Sequence, residues 1–216
     1  MATKGKFFCT AGPIKPEKHY NVDPLSRFDL DEIETLIDQE KYFVLHAPRQ
    51  TGKTSCMLAL RDYLNKRGTY LAVYVNIEGG QGYRNEVNAV VEGVVETICN
   101  ELGLIIGKEL PQRVRTQVAE ESPRNLLTGF LLALCQALDR PLVLIIDEID
   151  ALVGDSLVSV LRQIRAGYAN RPAAFPQSII LCGVRDVRDY RIVLSNQDVI
   201  TGGSAFNIKA KSLRLG

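Results

Sequence analysis

The sequence predicts an α/β fold, built on a doubly wound parallel sheet with right-handed crossovers. Three observations point there. Strand-like and helix-like segments alternate along most of the 216 residues. Two strand-like runs, residues 142–146 and 179–182, are nearly unbroken in apolar side chains, as central strands covered on both faces must be. The helix-like segments between strands are long enough to serve as the crossovers that parallel neighbours require.

Taken in order, residues 29–39 place Leu30, Ile33, Leu36 and Ile37 on one helical face, with Asp29 or Asp31 as N-cap. Residues 42–46 read as a short buried strand. From residue 53 to 67 the apolar positions Met57, Leu60 and Leu64 recur at helical spacing, and Gly68 supplies the stop. Residues 69–75 are β-branched and aromatic, hence a strand. Residues 85–102 carry Val87, Val90, Val91, Val94, Val95 and Ile98 at the spacing of a helix. A polar stretch with Pro111 and Pro123 intervenes before residues 125–138, a helix buried on most sides. After the strand at 142–146, Leu157, Val160, Leu161 and Ile164 mark a helix ending near Gly167, and the strand at 179–182 follows. The last stretch, 205–215, alternates Phe206, Ile208 and Ala210 and then Leu213 and Leu215, which suits a final strand. It stops without a polar tail, which suggests a piece of something longer.

At roughly 150 residues per domain, the length fits one domain with extensions. We read residues 1–28, with Gly12, Pro13, Pro16 and Pro24, as a leader packing on a core domain over residues 29–216. Hydrophobic residues are 46% and charged residues 24% of the chain, which excludes a disordered or fibrous protein. Lys plus Arg total 26 and Asp plus Glu 25, so a net charge of +1 removes any global electrostatic case for a polyanion partner. The cysteines Cys9, Cys56, Cys99, Cys135 and Cys182 are scattered, odd in number and mostly inside apolar runs, the pattern of reduced core thiols. No apolar run is long enough for a signal peptide or a membrane span, and the expected location is cytoplasmic.

The chemistry concentrates in two places. Between the strand ending at His46 and the helix opening near Lys53 lies Ala47-Pro48-Arg49-Gln50-Thr51-Gly52-Lys53-Thr54, a phosphate-loop pattern with Ala47 in place of its first glycine. A loop of this length turns successive backbone N–H groups toward a phosphate, and the helix N-terminus adds its dipole. Gly52 lets the backbone approach closely, Lys53 reaches the β- and γ-phosphates, and the Thr54 hydroxyl ligates magnesium. Pro48, Arg49, Gln50, Thr51, Gly52, Lys53, Thr54 and Ser55 are therefore the candidate nucleotide-binding residues. The bland alternative, a solvated lysine in a first helical turn, sets a cation against the helix dipole.

The second place is the strand at 142–146, which ends abruptly in Asp147, Glu148 and Asp150. In a parallel α/β sheet the ligand lies outside the carboxyl ends of the strands. Asp147 would then emerge beside the phosphate loop as a magnesium ligand. Glu148 can orient and deprotonate an attacking water, which makes it, with Lys53, a candidate catalytic residue. Asp150 reads as a capping or solvated residue. His19 and His46 are isolated from metal-ligand patterns and read as structural. Lysines and arginines are too scattered to predict a nucleic-acid groove.

With those residues in view, the chain resembles the ATPase core of the AAA+ and STAND superfamilies. It is most similar to prokaryotic AAA-like ATP-binding proteins related to origin-recognition-type ATPases, whose loop reads Pro-Arg-Gln-Thr-Gly-Lys-Thr, residues 48–54 here. The resemblance covers the chain from about Tyr20 to its end. It implies a P-loop NTPase fold, a three-layer α/β/α sandwich with a mainly parallel five-stranded sheet in the order 5-1-4-3-2. It implies ATP and Mg2+ as ligands, with which the lack of an Asn-Lys-x-Asp guanine motif agrees. It also implies an adenine contact from the segment before the first helix, where Tyr20 or Val22 would pack on the base, and a sensor after the fourth strand, where Arg185 is the nearest polar side chain. Arg162, Arg165 and Arg171 lie where relatives carry an arginine finger. The family's helical lid would follow the last strand, and none is expected in residues 1–216. The function implied is Mg-dependent hydrolysis of ATP that switches a protein partner or a fused domain. A nucleotide-dependent signalling switch with little turnover and a P-loop kinase are the rivals. Nucleic acid as a partner and homo-oligomerisation rest on analogy alone, and no membrane association is expected.

Overall fold

A computed structural model describes residues 5–8, 15, 17–20, 22–83, 86–186, 191–194 and 198–215. Strands β1 (Tyr42–His46), β2 (Leu71–Asn76), β3 (Leu142–Asp147) and β4 (Ser178–Gly183) lie where the apolar runs place them. Two short strands, β5 (Arg191–Val193) and β6 (Val199–Thr201), form a separate antiparallel hairpin, and β7 (Lys209–Arg214) returns to the main sheet. That sheet has the order β2-β3-β4-β1-β7, and every neighbouring pair in it is parallel. Counting β7 as the fifth sheet strand, this is the 5-1-4-3-2 order read from the other edge.

The helices are α1 (Leu30–Asp38), α2 (Lys53–Arg67), α3 (Val87–Ile106), α4 (Glu109–Gln117), α5 (Leu126–Ala137), α6 (Gly154–Ala166) and the single turn α7 (Gly202–Ala205). Strand alternation divides their partners. On β3, Val143 and Ile145 face a core with Ile33 and Ile37 of α1 and Met57, Leu60 and Leu64 of α2. Leu142, Leu144 and Ile146 face the opposite core, filled by α3, α5 and α6. Two separate cores, one on each face, make the three layers, and they explain why β3 and β4 are buried at every position.

The local signals act as physics requires. Asp29 caps α1 by accepting the Glu32 amide at 3.0 Å. Gly68 ends α2 in the left-handed region at φ +79°. Three departures from the sequence reading have equally local causes. The polar stretch contains α4, because Pro111 falls in its first turn, where a missing N–H costs nothing, and Pro111 and Val114 are buried against α3. Helix α3 runs on to Ile106 and stops at Gly107, φ +87°. The final strand is shorter than 205–215, since α7 and a turn take up its first residues. Among the described residues no helix is long and apolar enough to cross a membrane.

Candidate nucleotide site

All five sheet strands run the same way, so the C-terminal ends of β1, β3 and β4 open on one edge. The loop after β1 is rooted on both sides. The Ala47 amide donates to Gly183 O at the end of β4 (3.2 Å), and the Leu215 amide after β7 donates to His46 O (3.1 Å). Within the loop Gln50 and Gly52 take left-handed backbone, φ +60° and +81°. Thr51 Oγ1 donates to Pro48 O at 2.8 Å, closing the turn. Pro48, Arg49 and Gln50 are exposed, while Thr51, Gly52, Thr54 and Ser55 are half-buried.

Lys53 opens α2 and is only 6% exposed. Its Nζ donates to Ala47 O and Pro48 O, both at 3.2 Å, so the cation is held by the loop it starts from. Thr54 Oγ1 donates to Asp147 Oδ2 at 3.0 Å, which joins the first turn of α2 to the end of β3. Asp147 is fully buried. Its Oδ1 accepts the Glu148 amide at 2.9 Å, and its Oδ2 accepts a second hydroxyl, from Tyr74, at 2.8 Å. The Cys182 thiol bonds the same carboxylate, and burial, with the Asp147 charge, pushes its pKa well up. Burial also holds the Tyr74 hydroxyl protonated far above its usual range.

Glu148 follows with φ +57°, a conformation that costs a non-glycine residue about 1–3 kcal/mol and needs surroundings that enforce it. Burial raises its pKa, and the charges of Asp147 and Asp150 raise it further, while Lys53 opposes them. Asp150 is half-buried, and its Oδ1 has no hydrogen-bond partner among the described residues. The structure therefore brings Lys53, Thr54, Asp147 and Glu148 together.

The remaining candidates lie elsewhere. Tyr20 is 54% exposed with its ring against Phe8, centroids 5.0 Å apart, and Val22 is exposed too. Arg185 is exposed in the bend after β4, and the adjacent Asp186 is paired with Lys209 at 2.5 Å. Arg162 and Arg165 are exposed on α6. Arg171 is held at the opposite end of β1, its guanidinium 3.3 Å from the Tyr168 ring centroid and 5.1 Å from that of Tyr42.

Sequence reasoning did not single out Arg27 or Tyr74. The Arg27 guanidinium donates to Thr51 O and lies 3.1 Å from where a Cβ on Gly52 would stand, so the segment before α1 touches the loop. No spacing rule marks either residue. The signal for Tyr74 is a long side chain on the neighbouring strand within reach of a buried carboxylate.

A family model described as an AAA domain matches residues 37–190. The chain belongs to the AAA domain family. The AAA domain is similar in structure to Cdc6p from Pyrobaculum aerophilum, with 19% identity over 86% of this chain and 44% of that one and a TM-score of 0.51. It is also similar to Drosophila ORC bound to poly(dA/dT) DNA and Cdc6, with 10% identity over 87% of this chain and 28% of that one and a TM-score of 0.52. The AAA domain thus spans less than half the length of either structure, and at these identities the likeness is one of fold. No curated protein matches the chain in sequence. The family match and the shared fold together identify an ATP-binding core of AAA type.

The residues present fit nucleotide and magnesium. Thr54, Asp147 and Glu148 offer hard oxygen donors, and Lys53 brings a buried cation to the same edge. Among the described residues no group of three or more His, Cys, Asp or Glu could hold a metal ion. A cation at this AAA site would therefore rely on phosphate oxygens and water for the rest of its shell, the usual habit of Mg2+.

Proposed function

We propose that this AAA domain binds ATP and hydrolyses it by attack of water on the γ-phosphate, and that the ATP/ADP difference switches a protein partner or an attached domain. The observation that carries the reading is the Thr54–Asp147 hydrogen bond, which joins the loop and the acidic strand end into one site. In this reading residues 48–55 cradle the phosphates through backbone N–H groups and the α2 N-terminus. Lys53 exchanges two neutral carbonyl acceptors for phosphate oxygens, and hydrogen bonds to charged acceptors are roughly twice as strong. Thr54 and Asp147 hold Mg2+, which supplies neutralisation of charge on the phosphates. Glu148 takes the proton of the attacking water, and its raised pKa makes it a stronger base than an ordinary glutamate. The core over 29–216 carries the chemistry, and of the leader over 1–28, much of which lies outside the described residues, Arg27 makes the contact to the loop.

Calorimetry of ATP and ADP binding, followed by phosphate release from the same samples, tests this. Lys53→Ala should abolish binding, and unchanged affinity in that variant removes the site. Glu148→Gln should retain binding and lose turnover by about 100-fold or more. Equal turnover in Glu148→Gln takes the glutamate out of the role of base. Tight binding with no turnover in the wild type favours the signalling switch.

A further inference from the structure

Asp147 has two partners on one oxygen, from different elements. Thr54 reaches Oδ2 from the first turn of α2, and Tyr74 reaches it from β2. The strands β2 and β3 are in parallel register with Tyr74 opposite Ile145 and Asn76 opposite Asp147. Tyr74 is thus the diagonal neighbour of Asp147, at a separation that aromatic and long side chains can bridge. It shares a core face with Ile145, Val143 and Cys182, and it is only 8% exposed, so its ring is packed while its hydroxyl spans the diagonal. Ala72, on the same face, is too short for such a role.

An ionised carboxylate offers about two acceptor directions per oxygen. Thr54 and Tyr74 fill both on Oδ2, and the Glu148 amide takes one on Oδ1. The plane of the carboxylate is therefore fixed by donors from α2, from β2 and from the backbone of the next residue, with the Cys182 thiol of β4 as a weaker fourth. The Thr54 hydroxyl has a single proton, and while that proton goes to Asp147 its oxygen lone pairs stay available to a cation. Without Tyr74, Thr54 would be the one hydroxyl among the described residues left on Oδ2.

We propose that Tyr74 is a positioning residue for the divalent cation, its hydroxyl holding the Asp147 carboxylate in the orientation in which Asp147 and Thr54 take the metal. The inference rests on the reading of Asp147 and Thr54 as the metal-holding pair. Removing an outer partner of a metal ligand typically costs 10–100-fold in metal affinity. A hydroxyl that merely satisfies a buried carboxylate would instead cost stability and leave the metal response unchanged.

The test is a titration of ATP affinity with free Mg2+, by calorimetry on the full chain, with a parallel measurement in EDTA and a thermal unfolding curve without ligand. In Tyr74→Phe the Mg2+ concentration giving half of the affinity gain should rise about 10-fold or more, while affinity in EDTA stays within about twofold. Tyr70→Phe is the control, since it loses a hydroxyl bonded to Asp38 at 2.7 Å, away from the loop, and should titrate as wild type. Tyr74→Met, of similar reach and without a donor, gives the same reading should Tyr74→Phe fold poorly. A Tyr74 variant that melts lower but titrates as wild type, beside a Thr54→Ala variant that shifts, overturns the positioning role alone. A wild type whose ATP affinity ignores Mg2+ overturns the metal-holding pair, and the role of Tyr74 with it.

Discussion

Glu148 is the residue whose environment is least comfortable. Its backbone is left-handed at φ +57°, and its carboxylate is raised in pKa by burial and by Asp147 and Asp150. A carboxyl whose folded pKa is raised is penalised when ionised, so the penalty exists above the unfolded pKa and disappears as pH falls below it. Glu148→Gln removes the charge and keeps the shape. The variant should therefore melt higher than wild type at pH 7, the direction that relief of an ionised carboxylate's penalty requires. The gap should close as the pH is lowered through the range where carboxyls protonate. Unfolding curves at pH 7 and pH 4 measure this. A gap that stays constant with pH would show that ionisation of the Glu148 carboxyl, penalised by burial and by its acidic neighbours, is not its source. If Glu148 is the base proposed above, its strain and raised pKa fit a general trade of stability for activity.

Helix α2 is bounded by two glycines in the same backbone region, and they separate stability from function. Gly52 stands at φ +81° with Arg27 Nη1 3.1 Å from a would-be Cβ, whereas Gly68 stands at φ +79° in open space. Gly68→Ala should cost about 1–2 kcal/mol, the left-handed penalty of an L-residue, and leave ATP affinity unchanged. Gly52→Ala carries the same penalty, displaces Arg27 and moves the loop, so ATP affinity should fall about 10-fold or more. Urea unfolding and calorimetry on both variants distinguish the effects, and equal affinity loss in the two would mean that the loop reads only global stability. Both glycines were legible in the sequence, because a stop after Arg67 and a loop before Lys53 each require an unusual φ. The elements with strong periodicity were legible for the same reason, and β1 and α2 match residue by residue. Helix α4 was hidden because a proline in a first turn looks like a break. The β5–β6 hairpin was hidden because its strands are short and partly polar. In the site, Lys53, Thr54, Asp147 and Glu148 were readable from spacing, while Arg27 and Tyr74 act through contacts that only the folded sheet creates.

At the scale of the whole molecule the question is what keeps β7 on the sheet, since it pairs only with β1 and carries Lys209, Lys211 and Arg214. Part of the answer is charge. The Lys209 side chain is 2% exposed and paired with Asp186, whose side chain is 15% exposed, just after β4. Breaking a buried pair by removing one partner costs about 3–5 kcal/mol, because a charge is left uncompensated, whereas replacing both with apolar groups is often neutral. The pair is part-buried, so Asp186→Ala should destabilise the chain by less than that amount, and Asp186→Leu with Lys209→Met should recover part of it. Because the Leu215 amide beyond β7 bonds His46 O at the root of the phosphate loop, the effect should reach the site. ATP affinity should fall in Asp186→Ala under conditions where the protein is still folded, and return in the double variant. Urea unfolding and calorimetry on the three proteins decide it. Lost stability with unchanged affinity would mean that β4, through the Ala47–Gly183 bond, holds the loop without help from the sheet edge.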